Sequence, residues 1–130
     1  MADSQNALQK ALYEHLSADA ELMGLLGSAG IFDRRLTERA MPYLVVAEIE
    51  TRDFAPATEE HLVTLEAWSD GEGRKAVQVI AARVRALLHE ASLALDGAAL
   101  VNLMHRSTRV KRAAKTKAFV AEMTFRAVTE

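Results

Sequence analysis

The sequence contains no cysteine, which excludes disulfides and thiolate metal sites and makes an intracellular place of assembly the expectation. No apolar run approaches the roughly 18 residues of a membrane-spanning helix. Met1-Ala2-Asp3-Ser4-Gln5-Asn6 offers neither a basic n-region nor an apolar h-region, so no signal peptide is expected. Neither sign of charge dominates. The formal net charge is −2, which gives no overall pull toward nucleic acid or an anionic membrane. Internal repeats, low-complexity segments and linkers are also lacking.

What is present is an ordinary globular composition. Half of the 130 residues are hydrophobic and 26% are charged. That length predicts one domain over residues 1–130, burying roughly two thirds of its unfolded surface.

The clearest local signal runs from Leu62 to Leu93. Leu62-Val63-Thr64-Leu65-Glu66-Ala67-Trp68 reads as a strand with little solvent contact on either face. Ser69 and Glu72 have capping-box spacing, with Asp70 as an alternative N-cap. Ala76, Val77, Ile80, Ala81, Val84, Leu87, Leu88 and Ala91 then form a stripe at steps of three and four. Arg74, Lys75, Gln78, Arg83, Arg85 and Glu90 occupy the other face. This predicts an amphipathic helix of about five turns over 73–93, laid on a sheet.

Before it, Ala7, Leu8, Ala11, Leu12 and Leu16 predict a helix from about Ser4, with Ser4 as N-cap. A short second helix carries Leu22, Leu25 and Leu26 and stops at Gly27. Gly30 to Asp33 reads as a short extended piece and Arg34 to Ala40 as a loop. Pro42 opens a strand with Tyr43, Val45, Ala47 and Ile49 on one face and Leu44, Val46, Glu48 and Glu50 on the other. Arg52 to Glu60, with Pro56 inside it, reads as an exposed hairpin loop. After turn chemistry at Leu95-Asp96-Gly97, strands follow at Leu100–His105 and Lys117–Val128. In the last, Phe119, Ala121, Met123, Phe125 and Ala127 point one way. The fold class is therefore α+β in the order α-(α)-β-β-α-β-β. An antiparallel sheet of about four strands carries helices on one face.

Candidate chemistry is sparse. His15, His61, His89 and His105 lie in four segments without ligand spacing, so no metal site is expected. Glu48, Glu50, Glu66 and Glu122 fall on strands, where they could serve as acid and base, but no nucleophile–base pair accompanies them. Gly71-Glu72-Gly73 lacks the spacing of a phosphate loop. Trp68, Met104 and Met123 read as core. No enzyme and no cofactor are predicted.

The one unusual stretch is residues 106–117, which hold six of the sixteen basic residues and no acid: Arg106, Arg109, Lys111, Arg112, Lys115 and Lys117. Two readings stand: a basic hairpin touching phosphates or an acidic protein surface, or a solvated loop. No aromatic residue is interleaved, so base stacking is not indicated.

Leu8-Gln9-Lys10-Ala11-Leu12-Tyr13, Leu16-Ser17-Ala18-Asp19-Ala20-Glu21-Leu22 and Leu25-Leu26-Gly27 are followed by Ile31-Phe32-Asp33 and Met41-Pro42-Tyr43-Leu44-Val45-Val46. Next come His61 to Ser69, Ile80-Ala81, Val84-Arg85-Ala86-Leu87-Leu88 and Phe125-Arg126-Ala127-Val128. In this order and spacing the chain resembles the tail completion (tail terminator, tail-to-head joining) proteins of long-tailed phages, prophages and gene transfer agents. The resemblance implies a structural virion protein, assembled in the bacterial cytoplasm and sited at the head-proximal end of the tail. It implies a ring, usually of six copies, that caps the tail tube, ends its polymerisation and docks to the head connector or stopper. DNA would pass through the lumen without sequence specificity, and no membrane is involved. The basic run is not part of that pattern. The alternatives are a small nucleic-acid-binding module acting through residues 106–117, which the net charge disfavours, and a hydrolase built on the strand carboxylates, for which no motif exists.

Overall fold

The computed structural model describes residues 4–26, 30–32, 41–71, 73–114 and 116–130. The expected stop at Gly27, the extended Asp33, the loop at 34–40, Glu72 of the capping box and Lys115 lie outside them.

The chain forms helices α1 (Ser4–Ser17) and α2 (Ala20–Leu25), then strands β1 (Ile31–Phe32), β2 (Tyr43–Ala55) and β3 (Thr58–Ser69). Helix α3 (Lys75–Leu88) and strands β4 (Ala94–Leu95), β5 (Ala98–Arg112) and β6 (Phe119–Thr129) complete it. The fold is α+β, but its sheet has six strands, ordered β1-β2-β3-β6-β5-β4, and not four. The extra strands, β1 and β4, are two residues long, too short to show a period-2 pattern. β1 also runs parallel to β2, so the sheet is not wholly antiparallel.

The alternating residues of β6 behave as expected: Ala121, Met123, Phe125 and Ala127 are buried, and Phe119 packs beside them. They meet Leu8, Leu12 and Leu16 of α1 and Val77, Ile80, Val84 and Leu88 of α3 in one core. Burying these side chains is the main stabilising term, about 1.5–3 kcal/mol for each large one. β3 lies between β2 and β6, and none of its residues is exposed. Trp68 is buried in a smaller cluster with Tyr43, Val45, Ala113, Ala118 and Val120.

Three local readings need correction. Helix α3 ends at Leu88, about four turns and not five. Glu90 follows with φ +62° and its N–H bonded to the Leu103 carbonyl, so the chain has already left the helix. Neither Ser69 nor Asp70 is the N-cap: Ser69 Oγ accepts from the Gly71 N–H, and the residue before α3 is Arg74, without a side-chain cap. Ser4 is the first residue of α1, and its hydroxyl donates to the Glu59 carboxylate.

A register shift between Val46 and Glu48 changes the faces of β2. Tyr43 and Val45 belong to the small cluster, whereas Ile49 packs on the main core with Leu44 and Val46. One extra residue at Ala47 inverts every later side chain, which a strict alternation across Tyr43–Glu50 misses.

Helix α2 is fixed by a polar clasp. Asp19 caps it by accepting from the Leu22 N–H at 2.8 Å, and the Arg83 guanidinium holds both Asp19 oxygens at 2.9 and 2.7 Å. The bonds from Arg83 first, then the Leu22 amide, hold the Asp19 carboxyl down to about 2. The clasp ties α2 to α3.

Candidate assembly surface

The long polar stretches read as loops are mostly strand. β2 continues through Arg52, Asp53 and Phe54 to Ala55, and β3 starts at Thr58, so the turn is only Pro56-Ala57. Likewise β5 runs through Arg106, Ser107, Thr108, Arg109, Val110 and Lys111 to Arg112. A hairpin tip spanning 106–117 is therefore wrong. These segments are polar because they are exposed at a sheet edge and at hairpin ends, where little apolar surface remains to cover.

Four of the six basic candidates thus share one strand. Arg106 sits at a register shift between His105 and Ser107, Arg109 is in register with Glu122, and Lys111 bridges Glu122 at 2.9 Å. Arg112 reaches the Thr116 carbonyl at 3.4 Å across the tip, and Lys117 is exposed in that tip. Arg106, Arg109 and Arg112 make no ion pair among the described residues. A strand displays these charges at fixed spacing, which a solvated loop does not.

The acids fall on the sheet face opposite the helices. Glu48, Glu50 and Glu66 are in register with Thr64, Leu62 and Glu122 respectively. Glu66 accepts from Trp68 Nε1 at 3.1 Å, and Glu122, its cross-strand neighbour, takes Lys111. Among the described residues no group of histidines and carboxylates could hold a metal. Two histidines are held separately: His15 Nε2 lies 2.9 Å from the Leu87 carbonyl, and buried His61 lies between the hydroxyls of Thr51 and Thr129. His89 Nδ1 accepts from the His105 N–H at 3.0 Å. That last pairing could not be read from spacing, because the turn after α3 creates it.

Sequence reasoning also missed the charged knot at the β2–β3 hairpin. Buried Glu60 accepts from Arg52 Nε at 2.6 Å and from Arg126 Nε, while the Arg126 guanidinium stacks 5.0 Å over exposed Phe54. Arg126 first, and then Arg52, hold the Glu60 carboxyl below its ordinary range against desolvation. This knot stiffens a hairpin that reaches past the helical layer. A signal existed in the cross-strand pairing of Arg52 with Glu60, visible once both are placed on strands.

The surface also holds an open concavity of about 930 Å³ beside the Pro56 turn, lined by Asp53, Phe54, Glu59 and Glu130 among others. A second, of about 520 Å³, lies between α3 and β5 over Ala81, Ala82, Ala86 and Val110, with Arg85 and His89 at its rim. In the first, the Ser4 hydroxyl donates to the Glu59 carboxylate and ties α1 to β3. What the molecule presents is two stiff hairpins and two long edges of opposite charge, a surface suited to contacts with other chains.

A chain in the solved structure described as the virion of a native gene transfer agent particle shares this fold. It has a TM-score of 0.89 and 27% identity, with 100% of this chain and 99% of that one covered. A second solved chain, of no stated function, is similar at TM-score 0.64 and 16% identity over 99% and 97% of the two chains, a likeness of fold alone. No curated protein matches. Residues 10–130 match the family described as tail completion protein gp17, and the chain belongs to that family.

Proposed function

We propose that this chain is a structural protein of a virion tail, forming a ring of six copies at the head-proximal end of a phage-like tail tube. As one domain it caps the tube, ends polymerisation and docks to the head connector or stopper, and DNA passes through its lumen. The observation that carries this reading is the family match over residues 10–130. The end-to-end likeness to a chain of a gene transfer agent virion supports it. A compact subunit whose two sides differ in charge suits heterologous contacts that close into a ring. The exposed bases of β5 serve contact with an acidic chain or with phosphates in the lumen, where several copies multiply a weak interaction.

Deletion of the gene tests the role. A polymer without its terminator keeps growing, so overlong or headless tails should accumulate beside filled heads in electron micrographs. Tails of normal length joined to heads would overturn the reading.

A further inference from the structure

The two outermost long strands, β2 and β5, each have a short companion covering only one end. β1 pairs with β2 at Leu44 and Val45, and β4 pairs with β5 at Ala98 and Ala99. Polar side chains and a turn guard the middles. Gln5 Nε2 donates to the Ile49 carbonyl, while the Glu90 N–H and His89 Nδ1 take the Leu103 carbonyl and His105 N–H. Beyond these guards, 50–55 of β2 and 106–112 of β5 have no strand neighbour on their outer side among the described residues. Each is about the length of an ordinary strand. Such open edges are templates for pairing with another chain.

Their charges are opposite. The β5 segment carries exposed Arg106, Arg109, Lys111 and Arg112, with no acid. The β2 segment carries exposed Glu50 and Asp53, with exposed Glu48 just before it, and its one base, Arg52, is engaged by Glu60. Glu50 and Asp53 make no ion pair among the described residues. We propose that the 106–112 edge of one copy adds to the 50–55 edge of the next, so that one sheet continues from subunit to subunit. β2 and β5 run in opposite directions through three antiparallel pairings, so copies in the same orientation meet antiparallel. With like faces matched, the junction sets Glu50 opposite Lys111 and diagonal to Arg109, and Asp53 diagonal to Arg106.

The offset between the edges also fits closure. Arg109 is level with Glu122, Glu66 and Val45, so the two free segments lie about seven residues apart along the strands, about 23 Å at 3.3 Å per residue. Four long strands about 4.8 Å apart are about 19 Å across. Neighbours meeting with that stagger hold their strands at roughly 50° to the ring axis, near the 35–45° tilt of closed barrels. A flat, unstaggered junction is blocked, because β1 covers β2 at the level of Arg109.

The inference rests on the ring reading, and two measurements separate them. Ring formation by the full chain, alone and on isolated tail tubes, is followed by native mass spectrometry and electron microscopy, with hydrogen exchange on dilute and assembled protein. Amides of 50–55 and 106–112 should slow on assembly. Glu50→Arg with Asp53→Arg, or Arg106→Glu with Arg109→Glu, should weaken association about tenfold or more, and the fourfold variant should recover it. Rings that form with those amides still fast, or that survive both charge reversals, overturn the edge pairing and leave the ring reading standing. Absence of any ring overturns both.

Discussion

Phe125→Ala is the sharpest test of the packing on which the rest depends. Phe125 is 1% exposed in the middle of β6, paired with Val63 on one side and His105 on the other. The His105 ring meets it edge-on at 5.4 Å. Truncating a buried phenyl ring costs about 3–5 kcal/mol in transfer and cavity terms. Of this, about 0.5–1.5 kcal/mol reflects ring geometry beyond area. Against a total stability of about 5–15 kcal/mol, that is a large share. With a urea slope of about 1.5 kcal/mol/M for a chain of this size, the unfolding midpoint should fall by about 2–3 M. Phe54→Ala is the control: Phe54 is 56% exposed and carries the Arg126 guanidinium over its ring, so its loss should change stability by about 1 kcal/mol or less. A Phe125→Ala midpoint within about 0.5 M of the parent, at unchanged slope, would refute the core assignment.

Two further outcomes follow. Burial holds His61 and His105 below the ordinary imidazole value, so the unfolded chain takes up protons that the fold does not. Stability is therefore full above about pH 6.5 and lost as pH falls below it. Melting temperature should drop between about pH 7.5 and 5.5 and drop less in His61→Gln; equal drops would show that His61 titrates normally. Ala57 turns the β2–β3 hairpin at φ +59°, a region that favours glycine. Ala57→Gly should raise stability by about 0.5–1 kcal/mol, relief of backbone strain outweighing the added freedom of the unfolded chain; a lowered urea midpoint would count against it.

The centre of the fold was legible because its periods are clean. Met123 and Phe125 alternate on β6, Val77 to Leu88 recur at helical steps, and Leu62–Trp68 has no exposed position. The periphery was not, for three physical reasons. β1 and β4 are too short to carry a pattern, and the extra residue at Ala47 reverses the faces of β2. Arg52–Ala55 and Arg106–Arg112 are strands without a covering layer, so their polarity imitates a loop. The same ambiguity hid the candidate surface: the basic residues were found, but their arrangement along one open edge depends on pairing with β6. The Glu60 knot and the His89–His105 contact arise from residues distant in sequence, and no local pattern announces them.

The pairing of β3 with β6 has a consequence for how the chain folds. The β2–β3 and β5–β6 hairpins are local and can form quickly, yet the seam that joins them matches Glu59 with Thr129 and Ser69 with Phe119, residues about half the chain apart. Closing so long a loop must precede any reward from the seam, which slows folding. Until it closes, the hairpins display hydrophobic inner edges that no other part of the chain covers. Helix α3 lies between β3 and β6 in sequence and packs on both, so the segment whose ordering opposes closure is also the one that rewards it. The seam and α3 are therefore expected to form together, and the outer edges become presentable to other subunits only after the interior has closed.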